Sequence, residues 1–537
     1  MTAEPRCYRP LIIGKRGAVA ANHPLAAQAG LMALRAGGNA VDAAVATAAT
    51  LAVVEPMMSG IGGDGFYQVY QQAAGRAVVF NGSGPAPLAA TPERYAGGIP
   101  RVGPRSVSVP GMLAAIEAMH RSFGRLPWHD LFAEAITFAR DGFAVTPHYR
   151  HFAEEYRATL AIDPRGTALF LEGGKPPSVG LPIIQSDLAR SLEEIAADGA
   201  ETFYRGALAR RLMAGLEAAE ALVSAADLAD FTAEIQQPIA IDYRGFTVLE
   251  APPNSTGFVL LEELKILEHF DLARMGLLSA DAVHVMVEAK KLAFADRERW
   301  AADPRSVDAP LVELLTADYA ARLAARIDLR RAAPTGMAAA ADGDTTYFCT
   351  ADGEGNAVSG VQSINSGFGS GIIAGDTGIL LNNRMSYWHL DPGHPNRLVP
   401  GRRVRHTMNP PLVLKGGVLW CVFGTPGADN QVQVNLQVLT AMTDFGLDPQ
   451  QAAELPRWTS NVSGQYANWP HDGEDVLTIE QRFPAAVRGE LARRGHPVKT
   501  IGDLEGPCSV EIIRRDISTG MLFAGSDPRR DGWALAW

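Results

Sequence analysis

The pattern of apolar and polar residues divides the chain into a helix-rich first part and a strand-rich last third. Apolar residues at steps of three and four predict amphipathic helices, and the first begins at Pro24 and ends before Gly37-Gly38. The helices predicted in this way cover residues 24–35, 39–54, 111–123, 187–198, 258–268, 280–297 and 431–444. Short apolar runs between turn residues predict strands over 11–13, 17–20, 66–70, 239–243, 247–250, 417–424 and 509–513.

The pattern changes most sharply at Thr345. Residues 331–343 are rich in alanine, proline and glycine, which is typical of a linker. Directly after them, residues 345–350 and 356–362 flank Asp352-Gly353, a strong turn signal, and this predicts a β-hairpin. The start of this hairpin is therefore the point around which we expect the chain to be organised.

A second turn-rich segment, residues 59–66, contains glycine at high density. It lacks the Lys-Ser/Thr of a phosphate-binding P-loop, and its spacing is not GxGxxG. We interpret it as a tight backbone path between a helix and a strand, where side chains have little room.

Composition narrows the class of protein. A chain of 537 residues with 47% apolar content is long enough for two domains or two closely packed halves. The net charge of −11 disfavours nucleic acid and anionic membranes as partners. Cys7, Cys349, Cys421 and Cys508 lie far apart with no CxxC pair, so buried free thiols are expected rather than a zinc site or disulfides. With no apolar run of signal-peptide or membrane-spanning character, the expected location is the cytoplasm.

Thr345 and Thr346 offer candidate chemistry at the linker-to-strand junction. A backbone break before Thr345 would give this residue a free α-amine, which can act as the base for its own hydroxyl. The simpler interpretation is a turn followed by two residues that favour β-structure. The pair alone does not separate these two readings.

Several ordered segments together show a resemblance to a known family. They are residues 37–44 (GGNAVDAA), 59–63 (SGIGG), 242–245 (DYRG), 252–253 (PP), 295–297 (ADR), 378–383 (GILLNN), 424–427 (GTPG) and 526–529 (SDPR). In these segments the chain resembles the γ-glutamyltranspeptidase family of N-terminal-nucleophile hydrolases. The resemblance implies an α+β fold with four αββα layers and a precursor that cuts itself between Asp344 and Thr345. Residues 1–344 would form the large subunit and 345–537 the small one, paired as an αβ heterodimer, with a dimer of heterodimers as a further alternative.

The same resemblance assigns roles to individual residues. Thr345 would be the nucleophile, Ser363 the hydroxyl that steadies it, and Asn365 a nearby polar substrate contact. The backbone N–H groups of Gly427 and Ala428 would form the oxyanion hole, whose loss costs about 3 kcal/mol. The implied reaction is hydrolysis of a small-molecule amide through an acyl-enzyme, with no metal and no organic cofactor.

The chain departs from the family at the residues that hold a γ-glutamyl head group. Ser83 stands where the family has an arginine for the α-carboxylate, and Arg384 and Tyr387 stand where acids are expected for the α-ammonium. His406-Thr407 replaces a serine pair. Leaving both charges of an amino-acid head group unmatched would cost roughly 2–5 kcal/mol each. A γ-glutamyl substrate is therefore disfavoured.

Basic residues occur where those acids are missing. Arg384 would suit a substrate that carries a carboxylate without an ammonium. Arg402 and Arg403 are expected to be solvated loop charges, and Arg405 belongs to the same basic stretch. For Arg384 and His406 a functional role and a structural role are equally good interpretations, and the structural one for His406 is a satisfied core histidine.

This pattern places the chain nearer to the oxamate amidohydrolase-like branch of the family than to true γ-glutamyl enzymes. We expect an amide hydrolase for a small carboxylate-bearing amide such as oxamate, with Arg384, Tyr387, His406, Thr407 and Asn365 around the substrate. Alternatives are a γ-glutamyl hydrolase or transferase (glutathione hydrolase) and a cephalosporin or glutaryl acylase. A further alternative is a non-catalytic member that stays one chain.

Overall fold

The computed structural model describes residues 7–334 and 344–537, apart from the side chain of Asp344. Its strands, in chain order, are β1 Ile12–Gly14, β2 Gly17–Ala21, β3 Asp64–Gln71, β4 Arg76–Asn81, β5 Phe143–Ala144, β6 Pro182–Ile183, β7 Glu234–Gln236, β8 Ile239–Tyr243, β9 Phe246–Glu250, β10 Asp344–Asp352, β11 Ala357–Asn365, β12 Leu412–Lys415, β13 Val418–Gly424, β14 Trp458–Asn461, β15 Val476–Glu480, β16 Val498–Ile501, β17 Glu511–Arg515, β18 Leu522–Ser526 and β19 Trp533–Ala536.

The α-helices in the same ranges are α1 Pro24–Arg35, α2 Ala40–Val54, α3 Met112–Phe123, α4 Ala133–Asp141, α5 Pro147–Glu155, α6 Arg157–Leu160, α7 Pro164–Phe170, α8 Ser186–Asp198, α9 Glu201–Tyr204, α10 Ala207–Ala218, α11 Ala225–Ala229, α12 Gly257–Leu267, α13 Leu272–Met275, α14 Ala280–Trp300, α15 Leu311–Leu314, α16 Ala317–Ala324, α17 Asn430–Thr443, α18 Pro449–Glu454 and α19 Ala485–Arg493.

Two seven-stranded antiparallel sheets form the centre of the molecule. One has the order β1-β18-β17-β13-β12-β9-β8 and the other β19-β2-β10-β11-β3-β4-β7. The predicted hairpin is confirmed as β10 and β11, which lie side by side in the middle of the second sheet. Thr345 therefore begins a central strand.

The two sheets pack face to face, and each carries helices on its outer face. Alternate residues of β10 show the layering: Tyr347 and Cys349 lie between the sheets, whereas Phe348 faces the layer that includes α1 and α2. Helices α12, α14 and α17 cover the other sheet. The predicted four-layer αββα architecture is confirmed.

The first helices show why the sequence pattern predicted their bounds well. Helix α1 spans Pro24–Arg35, as expected from its proline at the start and glycines after its end. Asn39 caps α2 by accepting from the N–H groups of Val41 and Asp42, and the Asp42 carboxylate accepts from the Asn39 N–H. This reciprocal capping satisfies N–H groups that have no partner within the helix.

Strands from both sides of the predicted cut alternate within each sheet. Strand β10 pairs with β2 as well as with β11, and β13 and β12 continue into β9. The predicted division at residues 344 and 345 would thus give two interleaved chains rather than two separate domains. Of the predicted linker, residues 331–334 are described, and the remainder lies outside the described residues.

Two sequence predictions need correction. The last predicted strand, 509–513, begins two residues later, at Glu511. Cys349, Cys421 and Cys508 are buried free thiols as expected, but Cys7 is only half-buried. Within the part of the chain that the structure describes, no helix is long and apolar enough to cross a membrane.

Candidate active site

Thr345 lies at an irregularity in the β10–β11 ladder. Asp344 pairs with Asn365 and Thr346 pairs with Gln362, so the register shifts across Thr345 as in a β-bulge. A bulge redirects a side chain relative to its strand, and bulges are common beside active sites. The Thr345 side chain is 2% exposed and points to Ser363 on the partner strand.

Ser363 receives several hydrogen bonds at its hydroxyl oxygen. The Thr345 hydroxyl donates to Ser363 Oγ at 3.3 Å. The backbone N–H of Asn365 donates to the same oxygen at 2.8 Å, and Arg384 Nη2 donates at 3.0 Å. The serine therefore stands between the candidate nucleophile and a buried guanidinium.

Arg384 begins a short 3₁₀ turn, Arg384–Tyr387, and is 1% exposed. Its Nε donates to Asp64 Oδ2 at 2.9 Å, and its Nη1 donates to Asn365 Oδ1 at 3.3 Å. The guanidinium also lies 4.5 Å from the centre of the Tyr387 ring. Asp64 thus compensates the charge of Arg384, and the face of the Tyr387 ring holds the plane of the guanidinium.

The Asp64 carboxylate is fully buried between Arg384 and His406. Burial alone would raise its pKa, but the hydrogen bond to His406, the charge of Arg384 and the Gly84 N–H at 3.0 Å together lower it. Burial lowers the pKa of His406 to about 4, and the Arg384 charge acts in the same direction. His406 is therefore a neutral imidazole at neutral pH, with Nε2 placed 3.4 Å from Asp64 Oδ2.

Tyr387 and Thr407 contact each other, Oη to Oγ1, at 3.1 Å. Both are buried, and burial raises the pKa of the Tyr387 hydroxyl. Ser83 is also buried, and its hydroxyl donates to Asn81 Oδ1 at 2.7 Å. Ser83 and Tyr387 thus carry neutral hydroxyls at the positions where a γ-glutamyl head group would need charged partners.

The Asn365 side-chain amide is engaged within the protein. Its Nδ2 donates to the carbonyl of Asn383 and to side-chain oxygens of Ser386 and Asn468, at 3.0–3.1 Å. Its Oδ1 accepts from Arg384. Asn365 therefore joins the Arg384 turn to the segment that carries Asn468, at the edge of the cavity described below.

Gly427 and Ala428 lie in the turn before α17. Both have positive φ, 117° and 49°, and a Cβ on Gly427 would lie 2.3 Å from Cys508 Sγ. Only glycine fits at this position for both reasons. The turn brings two consecutive backbone N–H groups to the N-terminal end of a helix, which favours negative charge.

A cavity of about 350 Å³ adjoins this turn. Its lining residues are Phe152, Glu155, Tyr156, Gly427, Ala428, Asp429, Asn430, Asn461, Tyr466, Ala467, Asn468, Glu505, Pro507 and Arg530. Arg530 lies between the cavity and Thr345, because its Nη1 is 3.4 Å from the carbonyl oxygen of Thr345.

The expectation of solvated loop charges is wrong for Arg403. Arg403 is 5% exposed, its Nε donates to the Ser83 carbonyl at 2.7 Å, and it forms an ion pair with Glu234. Arg402 is half-buried. Arg405 is also buried and pairs with Glu298 at 2.8 Å. Arg403 and Arg405 therefore hold the loop that carries them against the rest of the protein.

Sequence reasoning missed Asp64, Glu55 and Arg530. Glu55 accepts from the Thr346 hydroxyl at 2.6 Å, and burial raises its pKa to about 7 even though that hydrogen bond and the Arg530 charge act to lower it. For Asp64 and Glu55 the available signal was a charged residue inside an otherwise small or apolar segment, as with Asp64 among three glycines. Such a charge must find a partner once it is buried.

Among the residues that the structure describes, two groups of side chains have the composition of metal sites. One is His284, Glu288 and His496, and the other is Glu298 with His389 and His394. In the first, the two imidazoles are 2.7 Å apart, nitrogen to nitrogen, and Glu288 pairs with a lysine at 2.8 Å. None of these residues lines the cavity beside Gly427.

The family model described as gamma-glutamyltranspeptidase matches residues 26–537. The chain belongs to the γ-glutamyltranspeptidase family. It is 39% identical to the glutathione hydrolase-like YwrD proenzyme of Bacillus subtilis (strain 168), over 98% of this chain and 99% of that protein. It is 34% identical to the oxamate amidohydrolase proenzyme of Klebsiella pneumoniae (MGH 78578), over 98% and 99% of the two chains.

A solved structure agrees with the fold over the whole chain. The cephalosporin acylase from Bacillus halodurans superimposes with a TM-score of 0.90 at 35% identity, covering 100% of this chain and 99% of that one. The resemblance inferred from the sequence is therefore confirmed. The chain is an N-terminal-nucleophile hydrolase acting on carbon–nitrogen bonds, and its relatives differ in the amide named.

Proposed function

We propose that the chain is a self-processing amide hydrolase whose nucleophile is Thr345. Cleavage between Asp344 and Thr345 would give a large subunit, 1–344, and a small subunit, 345–537, held together as a heterodimer by the interleaved sheets. The observation that carries the proposal is the placement of Thr345 on a bulge, hydrogen-bonded to a serine that a buried arginine holds in turn.

The proposed reaction uses only groups of the chain and water. The α-amine of the cleaved Thr345 accepts the proton of Oγ1, and Oγ1 attacks the amide carbonyl. The N–H groups of Gly427 and Ala428 stabilise the oxyanion, and the amine returns the proton to the departing nitrogen. Water, deprotonated by the same amine, then hydrolyses the ester and restores Thr345.

In this scheme Ser363 orients the attacking oxygen, and Arg384 positions Ser363. The guanidinium donates to Ser363 Oγ, so the serine hydroxyl hydrogen is directed elsewhere, and Asp64 keeps the guanidinium in place. We assign Arg384 to this positioning role because its charge is already compensated. The sequence had suggested it as the ligand of a substrate carboxylate.

For the substrate we propose an amide whose acyl part carries a carboxylate but no ammonium, with oxamate as the smallest member of that class. Ser83 and Tyr387 support this choice, because both place neutral hydroxyls where an amino-acid head group needs charged partners. The likeness to an oxamate amidohydrolase is a second support. A γ-glutamyl hydrolase or transferase would need charged partners for its head group, and Ser83 and Tyr387 do not supply them.

The second candidate is an acylase that releases a bulkier amine. The cavity of about 350 Å³ favours it, since this volume corresponds to roughly a dozen water-sized groups, well beyond the size of oxamate. The likeness to a cephalosporin acylase points in the same direction.

We propose the cytoplasm as the compartment of this protein. Cys349, Cys421 and Cys508 are buried free thiols, which is in keeping with a reducing compartment.

Purified protein on a denaturing gel, followed by end-sequencing of the fragments, tests the processing step. We expect two fragments with the smaller beginning at Thr345, and one full-length band for Thr345→Ala. A panel of oxamate, a dicarboxylic monoanilide and a γ-glutamyl anilide then tests the substrate class. A single band from active wild-type protein, or efficient turnover of the γ-glutamyl anilide alone, would refute the proposal.

A further inference from the structure

A group of buried metal-ligand side chains lies far from the nucleophile, where the two predicted subunits meet. His284 and Glu288 are four residues apart on α14, in the large-subunit part of the chain, and His496 lies between α19 and β16, in the small-subunit part. All three are buried, and one ligand atom of each lies within 4.8 Å of the others. Residues four apart on a helix share a face, so α14 presents an imidazole and a carboxylate together to His496.

The orientation of the His284 ring is fixed by a backbone carbonyl. Its Nε2 lies 2.7 Å from the carbonyl oxygen of Asp328, which can only accept, so Nε2 carries the hydrogen. In a neutral imidazole the other nitrogen, Nδ1, then has its lone pair available. This nitrogen lies 2.7 Å from His496 Nε2. Histidines that bind metals are usually oriented in this way, with the second ring nitrogen donating to a carbonyl or a carboxylate.

The position between the two imidazoles suits either a hydrogen or a metal ion. Without a metal, His496 Nε2 donates its hydrogen to His284 Nδ1. With a metal, that hydrogen moves to His496 Nδ1, and both lone pairs point to the ion. In a tetrahedral site with Zn–N bonds of about 2.0–2.1 Å the two nitrogens lie about 3.3 Å apart, so the rings must separate by about 0.6 Å. Among the described residues none hydrogen-bonds to His496 Nδ1, so its ring is held at one nitrogen alone.

The basic side chains near the group are paired with acids. Lys291 pairs with Glu288 at 2.8 Å, and Arg494 pairs with both Asp281 and Glu490. These three carboxylates outnumber the two cations, so the charge around the group favours a further cation. A carboxylate has about four lone-pair sites, so Glu288 can bind an ion while it also accepts from Lys291.

The second group of metal-ligand type, Glu298 with His389 and His394, is built differently. The rings of His389 and His394 are stacked, with centres 3.4 Å apart and planes 7° from parallel. Lone pairs in the planes of two stacked rings run side by side and do not meet at one ion. Glu298 pairs with two arginines, Arg297 and Arg405. The His284 group is therefore the better metal site.

We propose that His284, Glu288 and His496 bind one Zn²⁺ ion that takes no part in the reaction and links the large subunit to the small one. Two imidazoles and a carboxylate suit Zn²⁺, with water as the fourth ligand. The ion lies beside the start of the predicted linker, because the Ala333 N–H donates to Glu288 Oε2 at 3.2 Å. The link between subunits rests on the proposed cut, whereas binding of the ion does not.

Calorimetric titration of untagged, EDTA-dialysed protein with Zn²⁺ tests the site. Wild type should bind one ion per chain, and its unfolding temperature should rise with Zn²⁺ concentration. His496→Gln should weaken Zn²⁺ binding about 100-fold or more, because losing even a hydrogen-bond partner of a metal ligand costs about 10–100-fold. Mg²⁺ should bind to neither protein at this site, since it prefers oxygen ligands.

Two histidine variants serve as controls. His129→Gln should bind Zn²⁺ as wild type does, because the His129 side chain is 66% exposed and belongs to neither group. His394→Gln should also bind normally, and this excludes the stacked group. Where His496→Gln is insoluble, Glu288→Gln decides, with the same loss expected. A wild type that does not bind Zn²⁺, unchanged binding in the His496 or Glu288 variant, or lost binding in His394→Gln would overturn the site.

A comparison of cut and uncut chains separates this inference from the proposed reaction. Thr345→Ala, as one chain, should bind Zn²⁺ as tightly as wild type. In the cut wild type, Zn²⁺ should raise the urea concentration at which the two fragments separate. Zn²⁺ binding by a wild type that stays uncut means that the proposed processing fails alone. An active, cut enzyme without Zn²⁺ binding means that the metal site fails alone, and Zn²⁺ binding without an effect on fragment separation refutes the link.

Discussion

Replacing Asp64 with asparagine tests whether the buried charge pair supports the active site. Asp64 is fully buried, with Oδ2 2.9 Å from Arg384 Nε. Asparagine has nearly the same shape but no charge, so the Arg384 guanidinium stays buried without its counter-charge. Ser363, which accepts from Arg384 Nη2, is expected to lose its fixed position.

The expected cost follows from the burial of both partners. Removing one member of a buried pair costs about 3–5 kcal/mol, whereas replacing both with neutral side chains of similar size is often close to neutral. We therefore expect Asp64→Asn to lower the free energy of unfolding by about 3 kcal/mol or more. The double variant Asp64→Asn/Arg384→Met should be more stable than Asp64→Asn alone.

Stability and activity are measured in separate backgrounds. Urea unfolding is followed in Thr345→Ala, where the chain is expected to stay continuous, and hydrolysis is followed in chains that retain Thr345. The double variant should recover stability but not kcat, because Ser363 has lost the hydrogen bond from Arg384. The fall in kcat should be about tenfold or more.

Asp187 provides the control. It pairs with Arg190, but the two side chains are 51% and 55% exposed, so Asp187→Asn should cost less than about 1 kcal/mol. Equal stability losses for Asp64→Asn and the double variant would refute the reasoning. So would a cost for Asp64→Asn no larger than that of the exposed control.

The remaining predictions concern Ala428, Gly427, Glu55 and Ser363. Ala428→Gly should keep kcat within about threefold, since the oxyanion donor is main-chain, whereas Gly427→Ala should lose most activity because its Cβ would meet Cys508. Glu55→Gln should remove a pH dependence of stability: the folded chain holds this proton up to about pH 7, so wild-type unfolding temperature should fall as pH rises from the ordinary carboxyl range towards 7. Ser363→Ala should lower kcat about tenfold or more with little change in KM.

Each of these has a measured outcome that counts against it. Steady-state kinetics with Ala428→Gly would contradict the main-chain role if kcat fell as far as in Gly427→Ala. Thermal unfolding of wild type and Glu55→Gln across the same pH range should diverge; parallel curves would mean that Glu55 titrates normally. A Ser363→Ala enzyme with an unchanged kcat would remove the serine from the proposed mechanism.

Much of the fold followed from local pattern. Helix α1 begins and ends where its proline and glycines predicted, and the Asp352-Gly353 turn joins β10 to β11. The bounds of a helix and the position of a tight turn depend on residues that are neighbours in sequence, so both can be predicted from the sequence. The switch to strands at Thr345 also marked the candidate nucleophile.

Contacts between distant segments could not be read in the same way. Arg403 looked like a loop charge, yet it is buried against Ser83, and Arg384 looked like a substrate ligand, yet Asp64 compensates it. In each case the partner lies 320 residues away in sequence. No periodicity or spacing rule covers such a distance.

The sequence by itself determined the elements, the family resemblance and the residue that should carry the reaction, because capping, turn chemistry and apolar periodicity act between near neighbours. Only the tertiary structure decided which charged side chains pair with each other and which residues line the cavity. A buried charge is unfavourable unless it is paired with an opposite charge or hydrogen-bonded. The packing of the two sheets and their loops determines which residue becomes that partner. The pairing of Arg384 with Asp64, 320 residues away in sequence, is an example.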